Sequence, residues 1–205
     1  MSNREGIRGL SSVTNSFKFF RQFLENPSKT GAVAPSSKEL ANLIADVANL
    51  DSVSTLIEFG PGTGVITEEI MQRVSDDTTF FALETNPKFV ELTKKRCPEA
   101  IVYESSAENA RIHLNEHGKE GCDCIISSLP WATFSDELQD SLLQCILDVL
   151  NPGGRLLTFS YYHTLIFPTA RRFRKKLNKL FHKVYRTEVV WNNLPPAFIY
   201  CAQKV

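Results

Sequence analysis

The feature that most constrains the fold is residues 56–64, LIEFGPGTG, an apolar segment that ends in an acid and a glycine-rich turn. Gly60, Gly62 and Gly64 lack a Cβ, so they can take positive φ angles and let the backbone approach a ligand closely. Residues 65–74 then follow as a predicted helix whose first amides face the turn. A strand, a glycine turn and a helix in this order predict a site for a nucleoside-bearing ligand.

Strand-like and helix-like segments alternate along the chain, which predicts a parallel sheet with helices on both faces. The predicted strands are 55–59, 79–84, 100–104, 122–127, 154–161, 187–192 and 197–203. The predicted helices are 38–48, 65–74, 87–97, 107–117 and 135–150. The last two strands are joined by an Asn-Leu-Pro-Pro turn, so we expect them to be antiparallel. We expect one domain over residues 38–205, preceded by a helical extension over residues 1–37.

Composition places the chain among globular proteins, with 42% hydrophobic and 22% charged residues. No run of about 18 apolar residues could span a bilayer, and the N-terminus lacks the apolar core of a secretion signal. Five scattered cysteines are typical of reduced thiols rather than of a disulfide framework. We therefore expect a cytoplasmic protein.

The formal net charge of zero conceals a polarity along the chain. Residues 151–205 carry ten Lys and Arg against one acid, Glu188, whereas residues 1–150 carry 13 against 22. Eight of the ten cations fall between Arg171 and Arg186. A local basic field of this kind attracts anions, such as phospholipid headgroups or nucleic acid.

Two acids discriminate among the ligands of a glycine turn. A carboxylate at Glu58 would repel a pyrophosphate but suits an ammonium group, and Val65 stands where a dinucleotide fingerprint carries its third glycine. Glu84 ends the next strand, where a carboxylate can accept both hydroxyls of a ribose. Each feature alone can be purely structural, but together they favour S-adenosylmethionine, which has an ammonium group and a ribose.

The motifs EFGPGTG at 58–64, ALE at 82–84 and PGGRL at 152–156 resemble those of the class I S-adenosylmethionine-dependent methyltransferases. This resemblance implies a Rossmann-like α/β fold, with a seven-stranded, mostly parallel sheet whose last strand is antiparallel. It also implies S-adenosylmethionine as the cofactor. The residues implied in cofactor binding are Glu58, Gly60, Pro61, Gly62, Gly64, Glu84, Thr85, Ser106, Ala107, Ser127, Ser128 and Leu129.

One contact departs from the pattern of the class. Many members have an Asp after the third strand that binds the adenine amino group, whereas this chain has Ser106 at the matching position and Glu108 close by. Either side chain could take the adenine. Both could equally belong to the start of a helix, since Ser is a preferred N-cap residue.

The loop after the fourth strand, Ser-Ser-Leu-Pro-Trp at 127–131, is similar to the Asn/Asp/Ser-Pro-Pro-aromatic loop of amino-group methyltransferases, with Leu129 in place of the first proline. Trp131 is a candidate for a cation–π contact with a substrate amine; alternatively it packs over the sheet edge. Tyr161, which ends the fifth strand, is the second candidate catalytic residue. We expect direct SN2 transfer of the methyl group, with the proton acceptor unidentified.

Two amphipathic segments bear on the methyl acceptor. Residues 17–24, from Phe17 to Leu24, place four phenylalanines on a short basic helix. Residues 171–186, from Arg171 to Arg186, predict a second helix in which five apolar side chains form one stripe. Both suit an anionic membrane surface. The alternatives are RNA phosphates for the second helix and ordinary packing of either helix on its own domain.

Segments at 23–37 (FLENPSKTGAVAPSS), 128–130 (SLP) and 191–197 (WNNLPPA) resemble the bacterial phospholipid N-methyltransferases. The resemblance implies methylation of an amino phospholipid, phosphatidylethanolamine above all, by a protein associated peripherally with the inner face of the membrane. No protein partner is implied. RNA adenine N-methylation and a non-catalytic binding module are the alternatives. His113, His117, Cys122 and Cys124 lack the spacing of a zinc site, so no metal is expected.

Overall fold

The computed structural model describes residues 36–205; the predicted helix from Phe17 to Leu24, with most of the expected extension, lies outside them. The strands are β1 Thr55–Phe59, β2 Thr79–Glu84, β3 Val102–Glu104, β4 Cys122–Ser127, β5 Leu150–Tyr161, β6 Lys183–Arg186 and β7 Ala197–Gln203. The α-helices are α1 Lys38–Ala48, α2 Val65–Met71, α3 Pro87–Arg96, α4 Ala110–Glu116, α5 Asp136–Val149 and α6 Pro168–Leu180. Short 3-10 helices occur at Leu50–Ser52, Ala107–Asn109, Trp131–Thr133 and Tyr162–Ile166.

The seven strands form one sheet in the order β3-β2-β1-β4-β5-β7-β6. Neighbours from β3 to β5 are parallel, and β7 is antiparallel to both β5 and β6. The predicted fold, including the antiparallel last strand, is confirmed. The chain order reverses between β1 and β4, and ligands of open α/β sheets bind at such a point, beyond the carboxyl ends of the strands.

Both faces of the sheet are covered by helices. One buried cluster contains α1 and α2 side chains such as Leu40, Ile44 and Ile70. The other contains Leu142 of α5 and Phe173 of α6. All five residues of β1 are buried, as is typical of a central strand covered on both sides. The glycine turn after β1 is therefore anchored to the middle of the core.

The basic segment near the C-terminus differs from the prediction. A single helix over residues 171–186 is wrong, because α6 ends at Leu180 and β6 begins at Lys183. The apolar spacing continues through Phe181 and Val184, but these residues leave the helix for the sheet edge, where Lys183 pairs with Gln203. Charged residues at both ends of a short edge strand also disfavour pairing with another chain.

The predicted strand over residues 187–192 is also wrong, since β6 already occupies that edge of the sheet. The ladder ends where the Thr187 hydroxyl accepts the Ile199 N–H at 3.0 Å. Beyond it, the isolated bridge between Val190 and Ala197 is the remaining contact of strand type. Residues 187–196 instead form a loop at the carboxyl edge of the sheet.

Candidate active site

The glycine turn has the conformation that its sequence predicts. Gly60, Gly62 and Gly64 have φ angles of 71°, 60° and 79°. A Cβ on Gly60 would lie 3.2 Å from the side chain of Leu129, and one on Gly64 would lie 3.2 Å from the Cα of Thr93. The turn is thus packed closely between the β4 loop and α3.

Glu58 is fully buried directly before this turn. The hydroxyl of Thr67 donates a hydrogen bond to its Oε2 at 2.7 Å, whereas Oε1 has no hydrogen-bond partner among the described residues. Burial raises the pKa of Glu58 from 4.5 to about 8, with the Thr67 hydrogen bond opposing and nearby Glu84 adding to the rise. An orphaned buried acceptor is costly, and it is the group that a ligand ammonium would satisfy.

Glu84 lies at the end of β2 and is 3% exposed. Its Oε2 accepts the Gly62 N–H at 3.2 Å, and its Oε1 accepts the Asn86 N–H at 2.9 Å. Burial raises its pKa, and these backbone hydrogen bonds lower it. Each carboxylate oxygen has about two acceptor sites, so both retain capacity for a ribose hydroxyl.

A cleft opens beside Glu84 at the carboxyl edge of the sheet. Its walls are mainly apolar, with carboxylate and hydroxyl groups at one side, as an adenosyl group requires. Five of the residues predicted from sequence line it. The full lining is Gly60, Leu83, Glu84, Thr85, Ser105, Ala107, Leu129, Phe134 and Leu142.

Ser105, rather than the predicted adenine-binding residue Ser106, lines the cleft. The hydroxyl of Ser106 instead caps the following 3-10 helix by accepting the Glu108 N–H at 3.3 Å. The Glu108 carboxylate accepts from the hydroxyls of Ser106 and Ser141. Sequence reasoning missed four of the lining residues, namely Leu83, Ser105, Phe134 and Leu142. Two consecutive serines gave no periodicity by which to choose between them.

The β4 loop holds Trp131 in the core. The residue is only 3% exposed. Its ring stacks on Phe173 with centroids 4.6 Å apart, and its Nε1–H donates a hydrogen bond to the Ser127 hydroxyl at 3.2 Å. Buried Gln139 donates to the Trp131 carbonyl at 2.7 Å. Phe173 covers one face of the ring and the residue is almost fully buried, so the described contacts point to a positioning role, and the cation–π contact stays a prediction.

Ser128 directly follows β4 and lies next to Gly60. Its N–H donates to the Phe59 carbonyl at 2.8 Å, and its buried hydroxyl oxygen has no partner among the residues that the structure describes. With the side chain of Trp131 enclosed, this hydroxyl is the polar group that the loop can offer to a substrate.

Tyr161 ends β5 on the face of the sheet that α1 covers. Ser127 pairs with Thr158, so Tyr161 extends three residues further than Ser127 toward the edge. Burial raises the pKa of its hydroxyl to about 12. The phenol is therefore neutral at physiological pH, and the catalytic role of Tyr161 stays a prediction.

The side chains considered as metal ligands are engaged elsewhere. Cys122 and Cys124 are buried in β4. The ring of His113 stacks on Tyr103 with centroids 4.1 Å apart, and that of His117 stacks on Phe81 at 5.1 Å. No group of three or more potential ligands occurs within residues 36–205.

Comparison with known proteins agrees with this geometry. Residues 56–154 match the family model described as a methyltransferase domain. The chain is 28% identical over 192 residues to an ornithine lipid N-methyltransferase from Singulisphaera acidiphila, covering 92% of this chain and 96% of the relative. It is also 28% identical to a malonyl-[acyl-carrier protein] O-methyltransferase from Acetivibrio thermocellus, of which it covers 53%.

Solved structures share the fold at low sequence identity. The O-methyltransferase TomG from Streptomyces achromogenes, solved with S-adenosylmethionine, has a TM-score of 0.66 at 16% identity, over 95% of this chain and 90% of that one. An O-methyltransferase from Bacillus cereus in complex with S-adenosylhomocysteine has a TM-score of 0.64 at 13% identity, over 90% of each chain.

The methyltransferase domain matched over residues 56–154 and the site at the carboxyl edge of the sheet identify the protein as an S-adenosylmethionine-dependent methyltransferase, and it shares its fold with the solved O-methyltransferases. Its cofactor is S-adenosylmethionine, which the orphaned Glu58 oxygen and the cleft beside Glu84 fit. Within this class, the chain is similar along most of its length to a lipid N-methyltransferase.

Proposed function

We propose that this enzyme transfers methyl groups to the amine of a membrane amino lipid. The observation that carries the proposal is the similarity to an ornithine lipid N-methyltransferase across 92% of the chain. The sequence favours phosphatidylethanolamine as the acceptor, whereas this relative's name favours an ornithine lipid. Both lipids present an amine beside anionic groups at a bilayer surface, so one site can serve either.

Within the site, some residues would bind the cofactor and others the acceptor lipid. Glu58 would hold the ammonium group of S-adenosylmethionine through its unpartnered oxygen, and Glu84 would hold the ribose. When bound, S-adenosylmethionine supplies an electrophilic methyl group. The buried hydroxyl of Ser128 would accept a hydrogen bond from the acceptor amine, aligning its lone pair. Apolar walls around the amine would favour its neutral, nucleophilic form by desolvation.

The described part of the chain offers a basic surface for the proposed membrane contact. On α6, Arg172 and Lys176 form ion pairs with acids of α5, whereas Arg171, Arg174 and Lys175 are exposed. Each such cation near an anionic surface contributes about 1 kcal/mol to binding. No helix within residues 36–205 has the length and apolar character to cross a bilayer. We propose peripheral association with the inner face of the cytoplasmic membrane, to which the segment from Phe17 to Leu24 would add.

The test is methyl transfer by the purified full chain from isotope-labelled S-adenosylmethionine. Vesicles contain phosphatidylethanolamine in one set and an ornithine lipid in the other, and mass spectrometry counts the methyl groups added. Label in either lipid supports the proposal and identifies the headgroup. Label in RNA with none in either lipid would refute it.

A further inference from the structure

Five large apolar side chains are exposed together at the carboxyl edge of the sheet, and we call them the edge patch. Three belong to the turn after β5 and two to the loop before β7. Their exposed fractions are 45% for Tyr162, 69% for Ile166, 44% for Phe167, 65% for Trp191 and 72% for Leu194. A cluster of exposed apolar side chains of this kind is typical of an interaction site.

Contacts between the two loops hold the edge patch together. The rings of Tyr162 and Trp191 lie 5.5 Å apart between centroids. The Tyr162 N–H donates to the Pro196 carbonyl at 2.8 Å, and the Phe167 N–H donates to the Thr164 carbonyl at 2.9 Å. The apolar side chains therefore extend from backbone that is already hydrogen-bonded.

The topology places the edge patch at the same edge as the transfer site. β5 ends where β1 and β4 end, and β7 begins there because it is antiparallel to β5. Tyr161, directly before the patch, is the residue that extends beyond Ser128 on this edge. The chain also enters the domain here, since the Ser37 N–H donates to the Asn193 side chain at 2.8 Å.

Cations border the apolar side chains. The Arg171 Nε–H donates to the Leu165 carbonyl at 3.4 Å, which holds this side chain against the turn that carries Ile166 and Phe167. Arg174 and Lys175 are exposed on the next turn of α6. Aromatic and aliphatic side chains bordered by Lys and Arg are the composition of a surface that lies in a lipid interface.

From these observations we propose that the edge patch inserts into an anionic bilayer, with Trp191 and Tyr162 at the level of the headgroups and Arg171 on their phosphates. This rests on the proposed lipid substrate and adds to it the surface that docks. Docking through this edge would bring the lipid amine to the open side of the β4 loop. Only the headgroup of the lipid would then need to leave the membrane, and its acyl chains could stay in the bilayer.

Trp191 provides a direct probe, since the chain has two tryptophans and Trp131 is 3% exposed. In the full chain, we expect vesicles containing phosphatidylglycerol to shift the emission of Trp191 to shorter wavelengths. Lipids brominated on their acyl chains should quench it, and Trp191→Phe should abolish both effects. Vesicle binding without either effect would overturn the proposal, because docking would then use another surface.

A matched pair of substitutions measures the contribution of the patch. Ile166→Ser should weaken vesicle binding about tenfold, because it removes an inserted aliphatic side chain. Ile112→Ser is the control: Ile112 is 55% exposed, but it lies on α4, away from the patch. We expect it to change vesicle binding by no more than about twofold. Equal effects of the two variants would overturn the proposal.

Two further measurements separate docking from catalysis. Ile166→Ser should keep transfer to a short-chain amino lipid held below its micelle concentration and should slow transfer to vesicles in proportion to its weaker vesicle binding. If the full chain methylates no amino lipid yet Trp191 still inserts, the proposed function fails and the docking surface stands. If iodide fails to quench Trp191 without vesicles, or if Ile166→Ser dissolves a dimer, protein covers the patch and the docking proposal is refuted.

Discussion

Glu58 should make the stability of the cofactor-free enzyme fall steeply with pH. Burial raises its pKa from 4.5 to about 8, so between these values the folded protein retains a proton that the unfolded chain has released. A group whose pKa is higher in the folded than in the unfolded protein stabilises the fold fully at pH values below its unfolded pKa. That stabilisation is lost as the pH rises through its folded pKa. The free energy of unfolding should fall by about 1.4 kcal/mol per pH unit. The loss is about 3 kcal/mol at pH 7 and about 5 kcal/mol above pH 8.

The substitution Glu58→Gln isolates this contribution. Its amide oxygen can accept the Thr67 hydrogen bond, and its amide nitrogen replaces the unpartnered carboxylic O–H without ever ionising. We expect the free energies of unfolding of the wild type and Glu58→Gln to differ by about 1 kcal/mol or less at pH 4.5. At pH 7 the variant should be more stable by about 3 kcal/mol, which raises Tm by about 6 to 12 °C for a domain of this size.

The assay is urea unfolding followed by circular dichroism, without cofactor, at several pH values between 4.5 and 8.5. Glu91→Gln, at an exposed position of α3, is the control and should follow the wild-type profile within about 0.5 kcal/mol. Parallel profiles for wild type and Glu58→Gln would refute the reasoning. The stabilised variant should also bind S-adenosylmethionine at least tenfold more weakly, because it offers the ammonium group no charge; calorimetry measures this.

Three further outcomes follow from the site. Gly64→Ala should lower the free energy of unfolding in urea by about 2 kcal/mol or more, because Gly64 has a positive φ and a Cβ there would contact the α3 backbone. Gly118→Ala is the control: Gly118 also has a positive φ but faces open space, so this substitution should cost about 1 kcal/mol. Ser128→Ala should lower kcat about tenfold in the vesicle assay while calorimetry shows unchanged cofactor affinity; weakened cofactor binding with unchanged kcat would contradict the assigned role. Trp131→Ala should cost about 3 to 5 kcal/mol in thermal unfolding, and Trp131→Phe less than half of that, because Phe keeps the stacking on Phe173; equal losses would show that stacking is not the main contribution.

The cofactor half of the fold could be predicted from sequence because its signals are local. The glycine turn needs positive φ angles that other residues rarely adopt, and Ser135 and Asn86 accept hydrogen bonds from the first turns of α5 and α3. Helix and strand periods differ clearly in these segments. Buried strands β1, β2 and β4 accordingly have their predicted bounds.

The acceptor half depends on contacts that spacing does not encode. The apolar stripe from Phe173 to Val184 has helical spacing along its length, but its last residue lies in β6, which pairs with β7. The sequence predicts a substrate contact for Trp131, whereas in the structure Phe173 of α6 stacks on its ring. Each of these outcomes is decided by a partner distant in sequence.

The two halves of the sheet separate the two ligands in space. The cleft is lined by residues at the ends of β1, β2 and β3, by Leu129 and Phe134 of the β4 loop and by Leu142 of α5, whereas the edge patch follows β5 and precedes β7. The β4 loop lies between them, and α6 supports it through the stacking of Phe173 on Trp131 and the hydrogen bond from Thr169 to Ala132. We expect a bilayer on the edge patch to leave the side of the cleft formed by the ends of β2 and β3 open to water. Under the proposed function, spent cofactor can be exchanged while the lipid stays in place, so successive methylation of one headgroup requires no release from the membrane.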